Sequence, residues 1–172
     1  MAKEHANWHM NSKLLKYEED ITPYKKNGTE AEFHTTYMPY EVVEQTGNCL
    51  LNAGIDEIWD RLTGVVTASN RLYDNTYAQL GVGSGTTEAA ATDTTLEGGS
   101  TDYQGMEDGY PTSTAQKVTF KGSWGAAEGN FAWNEWAVRN STSPNILLNH
   151  KVESLGTKSA GTWTLEVTIT LS

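Results

Sequence analysis

The stretch "TWTLEVTITL" (Thr162–Leu171) decides the fold class. Trp163, Leu165, Val167, Ile169 and Leu171 take every second place, and Thr164, Glu166, Thr168 and Thr170 fill the places between. A period of two describes a strand with one face in a core and one in water. Threonine on the wet face keeps strand propensity without adding apolar surface. The same reading extends upstream. "AQKVTFKGSW" (115–124) sets Val118 and Phe120 on one face. In "GNFAWNEWAVRN" (129–140), Phe131, Trp133, Glu135 and Ala137 share one side, and Ala132, Asn134, Trp136 and Val138 share the other. Both sides are partly apolar, which describes a central strand covered on both faces. "NILLNHKV" (145–152) and "TYAQLGVG" (76–83) add two more strands.

One segment reads as a helix. In "NCLLNAGIDEIWDRLT" (48–63), Leu51, Ile55, Ile58, Trp59 and Leu62 fall on one stripe at helical spacing. Asn48 is placed to cap its start and Gly64 to end it. An amphipathic helix of this length needs a partner, either a sheet face or a subunit contact. The expected fold is mainly β: an antiparallel β-sandwich or jelly-roll-like sheet domain with one amphipathic helix.

Residues 1–47 show no sustained period. Pro23, Pro39 and the turn signal Asn27–Gly28 punctuate them. Their aromatics need somewhere to pack, either along their own domain or on a neighbouring subunit. The expectation is an extended N-terminal arm, 1–47, ahead of a β domain, 48–172, that carries a long acidic loop at 84–114. The residues expected at interfaces are Trp8, Tyr17, Tyr24, Phe33, Tyr37, Tyr40, Trp59, Trp124 and Trp136.

Composition narrows the function. The 172 residues are 37% hydrophobic, include six Trp and eight Tyr, and carry a formal charge of -10. That charge argues against a nucleic-acid binder, which needs a positive footprint. No run approaches the roughly 20 apolar residues of a membrane span. The N-terminal text lacks a signal-peptide core, and a single cysteine, Cys49, leaves no intrachain disulfide. These features describe a soluble protein made in the cytoplasm.

"LGVGSGTTEAAATDTTL" (80–96) begins like a phosphate loop. It has no Gly-Lys-Ser/Thr ending, and Gly81, Gly83 and Gly85 do not match the dinucleotide spacing. Six acids and no base lie between Ser84 and Gly109, so phosphate is repelled. The reading is a strand ending in a glycine bend with positive φ, followed by a turn held by the Asp93 side chain. No cofactor is expected. His5 and His9 do not make a zinc site. Asp102, Glu107 and Asp108 lack the spacing of a calcium loop. Glu135 is the best candidate for a buried acid, to be satisfied by Arg139 or backbone donors; Glu166 is a possible but unmarked partner. Cys49 has no histidine near it in sequence. No catalytic residue is expected.

"AQLGVGSGTTEAAATDTTL" (78–96), preceded by "NAGIDEIWDRLTG" (52–64), resembles a pattern among tailed-bacteriophage virion proteins. The later pieces are "WNEWAVRN" (133–140) and "TWTLEVTITL" (162–171). The resemblance spans Asn48 to Leu171, and its motifs are structural and degenerate. It implies a virion structural protein such as a capsid decoration or cement protein. Such a protein would be homo-oligomeric, commonly a trimer, made in the host cytoplasm and bound to the major capsid protein at the capsid surface. The alternative is a tail or fibre module that binds carbohydrate, for which strand tryptophans such as Trp124 and Trp136 would be the platform. One departure stands out: "EGGSTDYQGMEDGY" (97–110) follows Asp93–Leu96 without the arginine expected there.

Overall fold

The alternating stretch becomes β10 (Thr162–Leu171), the middle strand of a five-stranded sheet. Its neighbours are β1 (Trp8–Tyr17) and β7 (Lys117–Trp124), with β2 (Glu41–Thr46) and β6 (Thr112–Thr114) at the edges. A second sheet runs β3 (Cys49–Leu50), β9 (Leu147–Thr157), β8 (Ala132–Arg139), β4 (Gln79–Gly83), β5 (Thr101–Gly105). The pairings in both sheets are antiparallel. The computed structural model describes residues 8–47, 49–65, 71–140 and 145–171.

The two sheets share one core. Leu14, Phe120, Trp124, Trp163, Leu165 and Val167 come from the first, and Leu80, Val82, Trp133, Trp136, Val138 and Leu148 from the second. The Trp133 ring packs edge-on against Trp124 at 4.8 Å and Trp163 at 4.9 Å. Such pairs add about 0.5–1.5 kcal/mol each beyond the area they bury. Leu171 does not join the core; it is exposed at the strand end. Strict alternation also fails in β8. The register shifts between Trp133 and Glu135, where residues 153–155 of β9 oppose Asn134 alone, and Trp133 and Trp136 both reach the shared core. Glu135 and Ala137 keep the opposite face, and Ala137 packs there with Leu51, Leu96 and Leu147.

The expected arm is not an arm. Within residues 8–47, β1 pairs with β10 along its whole length and β2 closes on β1. The inward period of β1 is masked because Ser12 and Lys16 occupy core-facing places beside Met10 and Leu14. Ser12 donates to Glu153, and the Lys16 ammonium lies over the Trp163 ring at 4.4 Å while meeting Glu41. Two short helices, α1 (Thr22–Asn27) and α2 (Glu30–Thr36), join β1 to β2. Pro23, read as punctuation, sits in the first turn of α1, where its missing N–H is not needed. Tyr17, Ile21 and Phe33 form a small core of their own there, flanked by Tyr24 and Tyr37.

The expected helix is shorter and not single. α3 spans Asn52–Thr63, since Cys49–Leu50 pairs with β9 as β3. Leu51 stands at its start without a side-chain cap; Asn48 lies outside the described residues. Gly64 ends it with φ 74, as expected. The loop at 84–114 is interrupted by β5 and β6. Among the described residues, no helix is long and apolar enough to cross a membrane.

Candidate functional site

The glycine stretch does surround an anion, and the anion is the protein's own. β4 places Leu80 and Val82 in the core and leaves Gly81 and Gly83 on the other face. Glu135 lies across that bare strip, fully buried. Its Oε1 accepts from the backbone N–H of Gly85 at 3.0 Å and Gly98 at 2.7 Å, and its Oε2 from Glu97 N–H at 2.9 Å. A Cβ on Gly83 would strike Glu135 Oε1, and one on Gly85 would come within 2.6 Å of it. Neither glycine, nor Gly81, adopts a left-handed φ. The positive-φ bend is therefore replaced by a steric requirement: these positions are glycine because other side chains occupy the Cβ space. Tyr103 fills that space above Gly81, and the Arg139 guanidinium stacks on its ring at 3.3 Å. Of the two expected sources for satisfying Glu135, the backbone is used.

His150 completes the cluster. Its Nε2 lies 2.9 Å from Glu135 Oε2 and its Nδ1 2.7 Å from Asp93 Oδ2. Asp93 also accepts the Ala90 N–H at 2.9 Å, the turn expected of it. Burial pushes the Asp93 carboxyl up, but the His150 hydrogen bond, the Ala90 N–H and the His150 charge outweigh this and hold it below the ordinary value. Cys49 faces His150 across the β3–β9 pair. Burial, then the Asp93 charge, push its thiol up, so the thiolate is disfavoured. Both ring nitrogens of His150 are engaged by carboxylates, which leaves none to serve Cys49 as a base. The glycine strip, the Asp93–Leu96 turn and the mid-strand Glu135 thus meet at one point. The sequence marked Asp93 and Glu135 separately; His150 was missed because its place in β9 carries no local signal.

A second buried carboxylate, Glu107, lies on the outer side of the first sheet. His34 Nε2 reaches its Oε1 at 2.9 Å, Ser123 donates to the same oxygen, and Lys121 stands 3.4 Å from Oε2. Tyr17 hydroxyl meets His34 Nδ1 at 3.0 Å. Burial pushes Glu107 up, but the His34 bond and the Lys121 charge hold it below the ordinary carboxylate value. Glu166, half-buried in β10, meets Lys121 at 3.4 Å and belongs to the opposite sheet from Glu135, so the two acids do not pair. Among the described residues, no three His, Cys, Asp or Glu side chains converge as a metal would require; His5 lies outside them.

The open chemistry is apolar. α3 packs on β9 through Gly54 and Glu57; of the stripe read from the sequence, Leu51 is buried and Ile55 half-buried, while Ile58, Trp59 and Leu62 turn outward. A Cβ on Gly54 would come 2.5 Å from Leu148 O, so the helix backbone rests almost on the strand. Glu57 is buried and held by Arg61 Nε at 2.8 Å. Ile58, Trp59, Leu62 and Val65 are exposed, Leu62 at 73%. Beside them runs a groove of about 440 Å3 lined by Trp8, Ile58, Tyr73, Phe120 and Leu171, with Lys117 among its few polar residues.

The expected interface residues divide accordingly. Tyr17, Phe33, Trp124 and Trp136 are buried and offer no contact surface, because each fills a core that their own chain closes. Tyr24 and Tyr37 pack half-buried around Phe33, and Trp8 lines the groove. Tyr40 and Trp59 are exposed. Compared with protein-family models, curated proteins and solved structures, the chain matches none.

Proposed function

We propose that this chain is a structural protein of a tailed-bacteriophage virion, a decoration protein that binds the outer capsid surface and stabilises contacts between capsomers. The two packed sheets are, in this reading, a β-sandwich that serves as a platform. The observation that carries the proposal is the outward turn of α3. A chain of net charge -10 leaves Ile58, Trp59, Leu62 and Val65 in water, while its buried acids Glu135 and Glu107 are consumed internally. Exposed apolar surface of this kind marks a contact. The resemblance of residues 48–171 to virion proteins supplies the setting.

The occupant of the α3 face is a second copy of the chain. A projecting Trp59 and Leu62 stand beside an apolar groove, so the projection of one copy can enter the groove of the next, the head-to-tail contact that closes a ring. Charge agrees: Lys117 lines the groove, and Asp56 lies exposed on α3. A trimer is the order the resemblance implies, and the major capsid protein is the further partner. The rival reading, a glycan-binding tail or fibre module, loses the platform formed by Trp124 and Trp136, which are buried.

The test pairs sedimentation with shell binding. The wild type is expected to self-associate at micromolar concentration, to pellet with expanded capsid shells and to raise their heat resistance. Trp59→Ser with Leu62→Ser should weaken self-association by about 10–100-fold, as loss of a contact hot spot does. A wild-type monomer without shell affinity, and with glycan affinity that disappears in Trp59→Ser, would reverse the assignment.

A further inference from the structure

We infer that His150 is held as an imidazolium between two carboxylates, and that this single proton fastens segment 84–98 and the start of α3 to the second sheet. The proton count follows from hydrogen-bond geometry. A neutral imidazole donates once and accepts once. Here Nδ1 lies 2.7 Å from Asp93 Oδ2 and Nε2 2.9 Å from Glu135 Oε2. Neither acid can supply the missing hydrogen. Glu135 already accepts Gly85 and Gly98 N–H on Oε1, and Glu97 N–H and His150 on Oε2, which fills the lone pairs of a carboxylate. Asp93 Oδ2 accepts from Ala90 N–H as well as facing His150, and against burial these contacts hold its carboxyl below the ordinary value, so at neutral pH it is ionised and has no hydrogen to give. Both ring nitrogens must therefore donate.

The surroundings fit a cation of this kind. Glu135 and Asp93 supply two negative charges, and three backbone N–H groups absorb what the imidazolium does not. From β3, Cys49 contributes a thiol pushed toward its neutral form. From β5, burial pushes the Tyr103 phenol up. From β8, Arg139 is spent on Tyr103 and on Gln79 at 2.8 Å. Segment 84–98 brings Asp93, and Glu97 through its backbone.

The proton matters beyond the cluster because the segment also holds α3. Asn52 N–H, in the first turn of α3, donates to Ala91 O at 2.9 Å. Leu96 packs with Leu51, just before the helix. Asn145 reaches Thr94 O at 3.3 Å. If the proton leaves to solvent, one ring nitrogen turns a lone pair toward a carboxylate. The Asp93 contact, at the edge of the cluster with 12% of its side chain exposed, is the one that opens. The segment then lifts and α3 loses a support. This inference does not depend on the virion reading.

Two measurements on the full chain test it. In the wild type labelled with [15N]histidine, the His150 ring should show two N–H protons and two imidazolium-type nitrogens at neutral pH, assigned through correlations to β9. A neutral tautomer, with one bare nitrogen and the segment still protected, overturns the inference. Amide hydrogen exchange provides the second test. His150→Gln, which cannot donate to both acids as a cation, should speed exchange at Gly85, Glu97, Gly98 and Asn52 by about tenfold, while β1 and β10 stay protected. Unchanged protection at those four amides also overturns it. Should the variant fail to fold, the wild-type ring spectrum decides alone.

Discussion

Glu135 and Glu107 are both buried carboxylates on outer sheet faces, and the protein neutralises them by different means. Glu135 is held by three backbone N–H groups and one imidazole. Glu107 is held by side chains: His34, Ser123 and Lys121. A backbone cradle demands that the chain approach closely, and only glycine permits that at positions 83, 85 and 98. It therefore leaves a mark in the sequence. A side-chain cradle draws on residues far apart in the chain, such as His34 and Ser123, and leaves none. The two should also fail differently. Lys121 and His34 sit near the surface of their sheet and can turn to water, whereas the amides around Glu135 cannot.

The largest effect is expected from removing the acids. Glu135→Ala strands three buried donors and a buried histidine, a loss of about 3–5 kcal/mol. Glu107→Ala should cost about 1–3 kcal/mol, because His34 and Lys121 lie 10–12% exposed and can rehydrate, and Ser123 keeps Thr164 as a partner. Urea unfolding of both variants measures the difference. Equal losses would mean that backbone and side-chain cradles are energetically alike, and the comparison would break.

A smaller effect should separate glycines within the same stretch. Gly83→Ala places a methyl against Glu135 and should cost about 1–3 kcal/mol through overpacking. At Gly99 nothing lies within 4 Å of an added Cβ, and the same substitution should stay within about 0.5 kcal/mol. Melting curves of the pair check this, and ATP, GTP or NAD should shift neither. A destabilised Gly99→Ala beside a neutral Gly83→Ala would show that the cradle is looser than its geometry.

How much of this was legible follows the same division. β10 and β8 announced themselves by alternation, and Glu135 stood out as an acid between tryptophans. β1 did not, since Ser12 and Lys16 occupy inward places and find partners, Glu153 and Glu41, that no local pattern reveals. The register shift between Trp133 and Glu135 accompanies two tryptophans in one core where strict alternation divides them. The α3 stripe was read as apolar and as covering either a sheet face or a subunit contact; Leu51 at its start packs inward, while Ile58, Trp59 and Leu62 face out. Gly54 and Glu57 decide which side meets β9, by closeness and by the Arg61 pair, and neither is an apolar signal. His150 and Asp93 lie 57 residues apart, and only the fold makes them neighbours.

A buried cation extends the comparison and supplies the smallest predicted effect. Lys158 is 1% exposed, and its ammonium donates to Gly125 O at 2.8 Å and Asn130 Oδ1 at 3.0 Å. Two neutral acceptors do not replace water around an ammonium. Burial therefore lowers Lys158 from 10.5 to about 8, although the charges of Glu128, Asp20 and Asp102 pull the other way. The sign follows from proton counting. Below about pH 8 both folded and unfolded chains hold this proton; between about 8 and 10.5 the unfolded chain holds more. Stability from this group therefore rises with pH across that window. Tyr17, pushed up to about 12 by burial and then by Glu107 and Glu166, opposes the trend only once the unfolded phenol ionises near 10. The 125–130 turn is partly exposed, and the water beside it should trim the gain to on the order of 1 kcal/mol. Urea midpoints at pH 7.5 and 9.5 should show the rise in the wild type and lose it in Lys158→Met. A wild-type midpoint that falls over this interval, with Lys158→Met falling in parallel, would mean that the ammonium is as well satisfied as the carboxylate of Glu135, and that a carbonyl and an amide oxygen suffice to hold a buried charge.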